Sequence, residues 1–308
     1  MTTVLDGGLA TELEARGHDL SDRLWSARLL LRQPDAIEEV HLAYFRAGAR
    51  VAITASYQAS VEGFAAAGLD RPTALEAIRR SVEFARRARR RFLDEEAAAG
   101  RDPGRVLVAG SVGPYGAMLA DGSEYRGDYD PGDAALEAFH RPRIDALVEA
   151  GADLLAVETI PTVREARVLV RLLDQIGVPA WISYSGRDGA TTAAGEPFAE
   201  AIALAGSGRG VIGVGVNCTA PQHMRSLLKI ARTSTDLPLV AYPNRGDTWD
   251  PESRSWRGDR AGSWDPAVIA SWTALGAEWL GGCCGTRPAD IERLATAVAS
   301  VRLDSAAG

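Results

Sequence analysis

The chain has three cysteines, and two of them are adjacent in a glycine-rich segment. Cys283 and Cys284 belong to Gly-Gly-Cys-Cys-Gly-Thr-Arg-Pro at 281–288, and Cys218 lies far upstream in Gly-Val-Asn-Cys-Thr-Ala-Pro. Such cysteines can be inert buried thiols, a vicinal disulfide, a reactive thiol pair or ligands of one metal ion. Three thiolates without a fourth protein ligand are typical of a zinc site that keeps one position open for water or substrate.

The other residue types that commonly carry chemistry are poorly placed for it. The four histidines, His18, His41, His140 and His223, are scattered and form no metal-binding pattern, so we expect them on the surface or in helix packing. Lys229 lies in the helical segment Met-Arg-Ser-Leu-Leu-Lys-Ile-Ala-Arg and not at a strand end, which argues against Schiff-base chemistry.

Two further motifs have ordinary explanations. A formal Gly-x-Gly-x-x-Gly within 206–213 precedes a strand instead of following one, so we interpret it as a loop. The basic run at 86–91 is followed by acidic residues, which predicts a solvated helix face with i,i+4 pairs Arg90/Asp94 and Arg91/Glu95. Neither motif indicates a nucleotide or nucleic acid site.

The acidic segment Asp121 to Asp133 lacks the spacing of a calcium loop. It follows the third predicted strand. We therefore expect a mobile loop that lies over the site as a lid.

The elements that must position these residues alternate between short apolar runs and helical patterns. A segment such as 35–47 repeats its apolar residues near the 3.6-residue period of a helix. Eight strand–helix units predict a parallel sheet, and eight is the number that closes a (βα)8 TIM barrel. The predicted strands are Val4–Leu5, Val51–Thr54, Val106–Ala109, Leu154–Val157, Ala180–Tyr184, Ile212–Val216, Leu239–Tyr242 and Trp279–Leu280.

A repeated Gly-Ala step supports this α/β class. Gly48, Gly151 and Gly276 each end a predicted helix and lead directly into a strand, which calls for the left-handed conformation that glycine adopts most easily. An open doubly wound sheet would use the same step, so it supports parallel α/β architecture more firmly than barrel closure.

Polar and glycine residues follow each strand, at the end where barrels carry their chemistry. Asp6-Gly7-Gly8 follows the first strand, Glu158-Thr159 the fourth, Asn217-Cys218 the sixth and 281–284 the eighth. The cysteines are therefore expected to face each other across a narrow barrel mouth.

Composition sets the outer limits. The chain has 308 residues, of which 46% are hydrophobic, so residues 1–308 suffice to form one domain with a large core. Because the formal charge is −7, nucleic acid and anionic lipid are not expected partners. The N-terminal residues carry no signal-peptide pattern, and no apolar stretch approaches the ~18 residues of a membrane span. With few cysteines, we expect a reducing compartment, by default the cytoplasm. The sequence leaves the oligomeric state open.

Over nearly its whole length the sequence resembles the homocysteine S-methyltransferase family, zinc-dependent barrels that methylate homocysteine to methionine. A Gly-Gly-Cys-Cys-Gly pair with one distant Asn-Cys is a specific combination, and ITASYQAS and GSEYRGDY are most similar to enzymes that use S-methylmethionine. The motifs that carry the resemblance are DGGLATELEARG, ITASYQAS, GSVGPYGAMLADGSEYRGDY, VETIPTVREA, GVNCTAP, YPNRGDTWD and GGCCGTRP.

The resemblance implies roles for individual residues. Cys218, Cys283 and Cys284 would hold Zn²⁺ and act in catalysis. The backbone amides of Asp6, Gly7 and Gly8 would receive the carboxylate of the amino acid substrate, and Glu158 would receive its ammonium. Asn244 would be the fourth zinc ligand before substrate binds. Trp25 and Tyr57 would line the site of the methyl donor.

The implied charge favours a cationic donor. Zinc with three thiolates carries a formal charge of −1, and a fourth thiolate from homocysteine makes it −2, which suits a sulfonium such as S-methylmethionine or S-adenosylmethionine. Betaine, a methyl-folate with cobalamin, and selenocysteine as acceptor are the alternatives within the family, although the short sequence after the last helix leads us to expect direct transfer. A non-catalytic thiol redox or metal-binding protein is the alternative from another class.

Overall fold

The computed structural model describes residues 2–20, 26–246, 248–250, 255–257 and 264–307. Within these ranges it contains ten strands and twelve α-helices. The strands are β1 (Thr3–Val4), β2 (Val51–Ile53), β3 (Leu107–Val112), β4 (Leu154–Ile160), β5 (Ala180–Tyr184), β6 (Val211–Asn217), β7 (Leu239–Tyr242), β8 (Thr248–Asp250), β9 (Ser255–Arg257) and β10 (Ala277–Leu280). The helices are α1 (Leu9–Ala15), α2 (Ser26–Arg32), α3 (Pro34–Arg46), α4 (Val61–Ala66), α5 (Arg71–Ala98), α6 (Tyr115–Leu119), α7 (Asp133–Glu149), α8 (Val163–Ile176), α9 (Phe198–Gly206), α10 (Pro221–Ser234), α11 (Pro266–Thr273) and α12 (Pro288–Ala307).

The eight parallel strands close into a barrel. Their order is β1-β10-β7-β6-β5-β4-β3-β2, and a parallel bridge between Leu5 and Val51 joins the two ends of the sheet. The closing contact is made by backbone bonds from Asp6 N to Val51 O (3.1 Å) and from Arg50 N to Val4 O (2.7 Å). β8 and β9 form a separate antiparallel hairpin between β7 and α11. The fold is therefore the predicted single (βα)8 TIM barrel.

Local sequence explains where the helices begin and end. The Thr162 hydroxyl caps α8 by accepting a hydrogen bond from Glu165 N (3.2 Å), and Gly177 ends that helix at φ +75°. The three glycines of the repeated Gly-Ala step also take positive φ: +107° at Gly48, +83° at Gly151 and +90° at Gly276. The predicted turn from helix into strand is confirmed.

The alternation of side chains along the strands decides what faces the barrel interior. Buried residues that line the interior include Leu154 and Ala156 of β4 and Trp181 of β5. The indole of Trp181 packs edge-on against Tyr242, with ring centroids 6.3 Å apart. Because side chains repeat every second residue, the same alternation points Glu158 inward at the end of β4. The top interior layer is thus polar over an aromatic floor.

All eight predicted strands are present, with shifted ends. β3 runs on to Val112, so residues 110–112 are strand and not loop. β4 includes Glu158 and Thr159, and β6 includes Asn217, which the sequence placed after their strands. These polar residues are held in the sheet by buried hydrogen bonds that a pattern of apolar residues cannot reveal.

The basic face of α5 forms different ion pairs from those predicted. Arg91 of α5 contacts Glu38 (2.9 Å) and Glu39 (2.6 Å) of α3. Glu95 of α5 accepts a hydrogen bond from Arg46, which also belongs to α3. The predicted pair Arg91/Glu95 is therefore wrong, because α3 packs beside α5 and supplies nearer partners.

The predictions for the isolated residues are confirmed. His41 and His140 are buried on α3 and α7, Lys229 lies within α10, and residues 207–210 form the turn before β6. In the described parts of the chain, no helix is both long and apolar enough to cross a membrane.

Candidate metal and substrate site

The sulfurs of Cys218, Cys283 and Cys284 come together at the carboxyl end of the barrel. The three Sγ atoms lie within 4.8 Å of one another, and those of Cys218 and Cys284 are 3.6 Å apart. All three thiols are free; Cys218 is buried, Cys283 half-buried and Cys284 exposed. In the described residues this is the one group of three or more His, Cys, Asp or Glu side chains arranged to hold a metal ion.

The cysteines meet over the end of β7 and not across the mouth of the barrel. β6 and β10 are the two neighbours of β7, so the segments that follow them lie on either side of residues 242–245. On the β6 side, Cys218 N donates to Tyr242 O (3.1 Å) and Asn244 N donates to Thr219 O (3.0 Å).

The β10 side repeats this arrangement. Cys283 N donates to Pro243 O (2.8 Å), and Arg245 N donates to Cys284 O (2.9 Å). Successive backbone groups of an extended segment point to opposite sides, so 242–245 bonds alternately to the two cysteine segments. The expectation of opposed cysteines is corrected to this adjacent arrangement.

Cys218 takes a left-handed backbone conformation, with φ +47°, as does Thr159 with φ +60°. Neither residue adopts this region readily, so the surroundings must hold it. The buried Asn217 side chain holds Thr159: its Oδ1 accepts from Thr159 N (2.7 Å) and from the Ser183 hydroxyl (2.8 Å), and its Nδ2 donates to Thr159 Oγ1 (2.8 Å). Cys218 follows Asn217 directly and is held by the bond from its N–H to Tyr242 O. One amide therefore fixes the ends of β4 and β6 together.

Glycines beside the cysteine pair allow the backbone to approach closely. A Cβ on Gly282 would lie 2.4 Å from Thr286 Oγ1, and one on Gly281 would lie 2.6 Å from Leu5 Cβ. A side chain on Gly8 would meet Cys283 O at 2.7 Å. These glycines therefore permit a close backbone approach that a larger residue would block.

The three thiols influence one another's protonation. Hydrogen bonds from the Cys218 and Cys283 thiols hold the pKa of Cys284 well below its usual range. Hydrogen bonding to the same two neighbours, together with burial, raises the pKa of Cys283. The free cluster thus concentrates its negative charge on Cys284, which suits it to a cation.

The donor set fits a thiophilic metal ion. Zinc accepts sulfur at about 2.3 Å in tetrahedral geometry, which sets sulfurs roughly 3.8 Å apart, close to the 3.6 Å between Cys218 and Cys284. Asn244 Oδ1 is buried and has no hydrogen-bond partner among the described residues. The three predicted cysteine ligands therefore lie together, and the neutral oxygen Asn244 Oδ1 is unpaired on the segment 242–245 that joins them.

A cleft lies over the cysteines. Its lining includes Glu158, which is 7% exposed. The Ser111 hydroxyl donates to Glu158 Oε1, and burial raises the pKa of Glu158 to about 7. The cleft therefore places a buried carboxylate beside the thiols.

The Asp6-Gly7-Gly8 segment forms another wall of the cleft. Asp6 N donates to Val51 O, and Gly8 N donates to Thr286 O (3.2 Å) and Thr286 Oγ1 (3.0 Å). No acceptor for the Gly7 N–H is present among the described residues. The Asp6 side chain is buried, accepts from Ile53 N (2.8 Å) with Oδ2, and leaves Oδ1 unpaired. Of the three amides in the predicted carboxylate site, that of Gly7 is the available donor.

Of the two aromatic residues predicted at the methyl donor, Tyr57 lies among the described residues and Trp25 does not. Tyr57 lines the cleft, and the fully buried Arg143 of α7 holds its backbone by donating to Tyr57 O (2.7 Å) and Gly113 O (3.0 Å). Trp25 lies outside the described residues. The structure thus brings Tyr57 into the site, and the role of Trp25 stays a prediction.

The acidic segment Asp121 to Asp133 covers part of the cleft. Residues Ser123–Tyr125 form a 3-10 turn, and the Tyr125 hydroxyl lies 3.7 Å from Cys218 Sγ. Tyr125 also lines the cleft. Its position over the site agrees with the lid prediction, while its motion stays a prediction.

Sequence reasoning missed several residues of the site. Ser111, Asn217 and Tyr242 are inward strand residues, and the inward alternation of β3, β6 and β7 is the signal that could have found them. Gln58 and Tyr125 lie on loops, where no periodicity applies, so their place in the cleft lining depends on the fold.

Known proteins of one family match this chain over nearly its whole length. The family model for homocysteine S-methyltransferase matches residues 3–298. Homocysteine S-methyltransferase YbgG of Bacillus subtilis is 45% identical, covering 97% of this chain and 95% of that protein, and homocysteine S-methyltransferase of Escherichia coli is 49% identical, covering 94% and 93%. The solved homocysteine methyltransferase MmuM of Escherichia coli, metallated form, is similar with a TM-score of 0.86 at 46% identity, over 96% of each chain.

Replacing the Asn217 amide, which joins the ends of β4 and β6 next to Cys218, should weaken both folding and metal binding. We expect Asn217→Ala to lower the free energy of unfolding by about 1–3 kcal/mol, because it leaves buried donors without an acceptor, and to weaken Zn²⁺ binding on the order of 10- to 100-fold. Denaturant unfolding and chelator competition measure the two effects. The exposed amide of Gln175 is the matched control, and Gln175→Ala should change neither. Unchanged Zn²⁺ affinity in Asn217→Ala would contradict the positioning role.

Proposed function

Since the chain belongs to the homocysteine S-methyltransferase family, we propose that it transfers a methyl group from a cationic donor to the sulfur of L-homocysteine and forms methionine. The observation that carries this proposal is the cluster of three thiols within 4.8 Å, set beside a buried carboxylate in one cleft. The donor that we favour is S-methylmethionine, with S-adenosylmethionine as the second candidate.

Zn²⁺ is the ion that best fits Cys218, Cys283 and Cys284, because three thiolates leave one tetrahedral position for a further ligand. The similar Escherichia coli methyltransferase has been solved in a metallated form, which supports the proposal that this chain binds a metal. When bound there, zinc lowers the pKa of an added thiol and keeps its sulfur as a nucleophilic thiolate. Before substrate arrives, the unpaired Oδ1 of Asn244 is the neutral oxygen that we propose for the fourth position.

The ends of the homocysteine molecule bind to two different walls. Its ammonium pairs with Glu158, whose carboxylate is buried and directed by Ser111. Its carboxylate accepts from the Gly7 N–H, and the absence of a side chain lets the anion come close. These contacts orient the thiol toward the cysteine cluster at the end of β7.

The methyl transfer itself needs alignment more than acid–base groups. A bond forms between the homocysteine sulfur and the methyl carbon, while the bond to the sulfonium breaks and its electron pair stays on the leaving sulfur. With S-methylmethionine both products are methionine. Because a negative and a positive charge are neutralised, the transition state is less polar than the reactants, and a cleft that excludes water favours it.

The donor sulfonium is expected to lie against an aromatic surface. Tyr57 supplies one in the described cleft, and cation–π attraction there is worth about 0.5–2 kcal/mol. We retain Trp25 as a second proposed wall from the resemblance alone. A cytoplasmic location and one domain over residues 1–308 likewise stay predictions.

Removing one sulfur of the cluster should abolish both metal binding and turnover. We expect Cys284→Ser to lose zinc and to lower methionine formation by at least about 100-fold, since direct ligands matter more than their supports. Metal analysis and a methionine assay with homocysteine and S-methylmethionine give the two readouts. Wild-type protein stripped by a chelator and then reloaded with Zn²⁺ is the control, and its activity should be lost and then recovered. Full zinc and full activity in Cys284→Ser would refute the proposal.

Glu158 should impose a pH dependence on homocysteine binding. Its pKa is raised to about 7, so it is increasingly protonated below that pH and no longer attracts an ammonium. We expect the homocysteine KM to rise as pH falls from 8 to 6, and Glu158→Gln to raise KM on the order of 10- to 100-fold at pH 8.

4-Mercaptobutyrate, which is homocysteine without its amino group, provides the control substrate for this prediction. Its thiol still titrates, but its binding should respond little to Glu158→Gln. Equal effects of the substitution on both thiols would show that Glu158 does not bind the ammonium.

A further inference from the structure

Two buried acceptor oxygens near the thiols are not used by the proposed reaction. Gln58, after β2, is 5% exposed, and its Oε1 has no hydrogen-bond partner among the described residues. Glu124, in the 3-10 turn after α6, is 4% exposed, and its Oε2 also has no hydrogen-bond partner among the described residues. A buried acceptor left without a donor destabilises the folded protein, so two such oxygens indicate a missing donor.

The neighbours of the two residues place Gln58 in the lining of the cleft and Glu124 beside that lining. Gln58 lines it, and its Nε2 donates to Ala117 O (3.3 Å), which leaves Oε1 as its free polar atom. Glu124 directly precedes Tyr125, whose hydroxyl is 3.7 Å from Cys218 Sγ. The Glu124 backbone also lies against Gly116, adjacent to Ala117.

No cation within the described residues forms an ion pair with Glu124. The nearby Arg126 instead donates to Asp128 Oδ2 (2.8 Å). The charge of Glu124 acts on the cleft, since it contributes to the raised pKa of Tyr57, and burial raises the pKa of Glu124 itself. A positively charged ligand with N–H groups would remove both the desolvation cost and the unpaired oxygens.

We propose that Glu124 and Gln58 Oε1 bind the α-ammonium of the methyl donor, so that the enzyme selects amino-acid sulfoniums over sulfoniums without an amino group. This inference rests on the proposed function and adds the class of donor. Glu158, within the barrel, receives the ammonium of homocysteine, and Glu124, on the covering loop, receives that of the donor. The cleft then holds two amino acids with one carboxylate for each.

The chemistry of the ammonium explains the selection. A primary ammonium has three N–H donors and can satisfy both oxygens, whereas the quaternary nitrogen of betaine has none. A donor without this group leaves the oxygens buried and unpaired, and sites built for a hydrogen bond discriminate strongly against ligands that lack it.

The test compares two sulfonium donors in the zinc-loaded enzyme. S-methylmethionine carries an α-ammonium, and dimethylsulfoniopropionate does not. We expect the ratio of their kcat/KM values to fall on the order of 10- to 100-fold in Glu124→Gln, the range for loss of one hydrogen bond to a charged group. Gln58→Leu should lower the same ratio. Asp128→Asn, which removes an exposed carboxylate from the same loop, is the matched control and should leave the ratio unchanged.

The outcomes separate this inference from the proposed function. If Glu124→Gln and Gln58→Leu lower kcat/KM equally for both donors, the residues only support the loop and the inference is wrong while the function stands. If the wild-type enzyme makes no methionine from any donor, the proposed function fails and the inference fails with it. Where dimethylsulfoniopropionate turns over too slowly to measure, its inhibition constant against S-methylmethionine takes the place of its kcat/KM.

Discussion

The site depends on four backbone hydrogen bonds made by residues 242–245. This short segment continues β7 and bonds alternately to Cys218–Thr219 on one side and to Cys283–Cys284 on the other. Thiols from two segments far apart in sequence are thereby brought to one point, with no disulfide and no metal required to hold the backbone. The order of the strands supplies this constraint, because it makes β6 and β10 the two neighbours of β7.

The charges of the cleft follow from what this arrangement gathers. The thiols and Glu158 line the cleft, Glu124 lies beside it, and burial raises the pKa of both carboxyl groups. Cationic groups of the substrates are the natural complement: the ammonium of one amino acid and the sulfonium and ammonium of the other. The same balance disfavours neutral or anionic methyl donors, which would leave the cleft with uncompensated negative charge.

The sequence sufficed for the barrel and for picking out the three cysteines that the fold brings together. Eight apolar runs, the Gly-Ala steps at Gly48, Gly151 and Gly276, and the cysteines at strand ends all carry local signals of backbone conformation or chemistry. The ion pairs of α5 and the adjacency of the cysteines were not predictable in the same way, since both depend on which elements become neighbours. Asn217 and Glu124 were missed because their roles come from buried hydrogen-bonding capacity, which no residue pattern displays.

The central claim is that three protein sulfurs surround one zinc ion and leave room for the sulfur of the substrate. Zinc K-edge X-ray absorption of the loaded protein measures the number of sulfur neighbours directly. The account predicts three sulfurs and one light atom in the resting protein, and four sulfurs after homocysteine is added. Four sulfur neighbours at rest, or a count that homocysteine does not change, would contradict it.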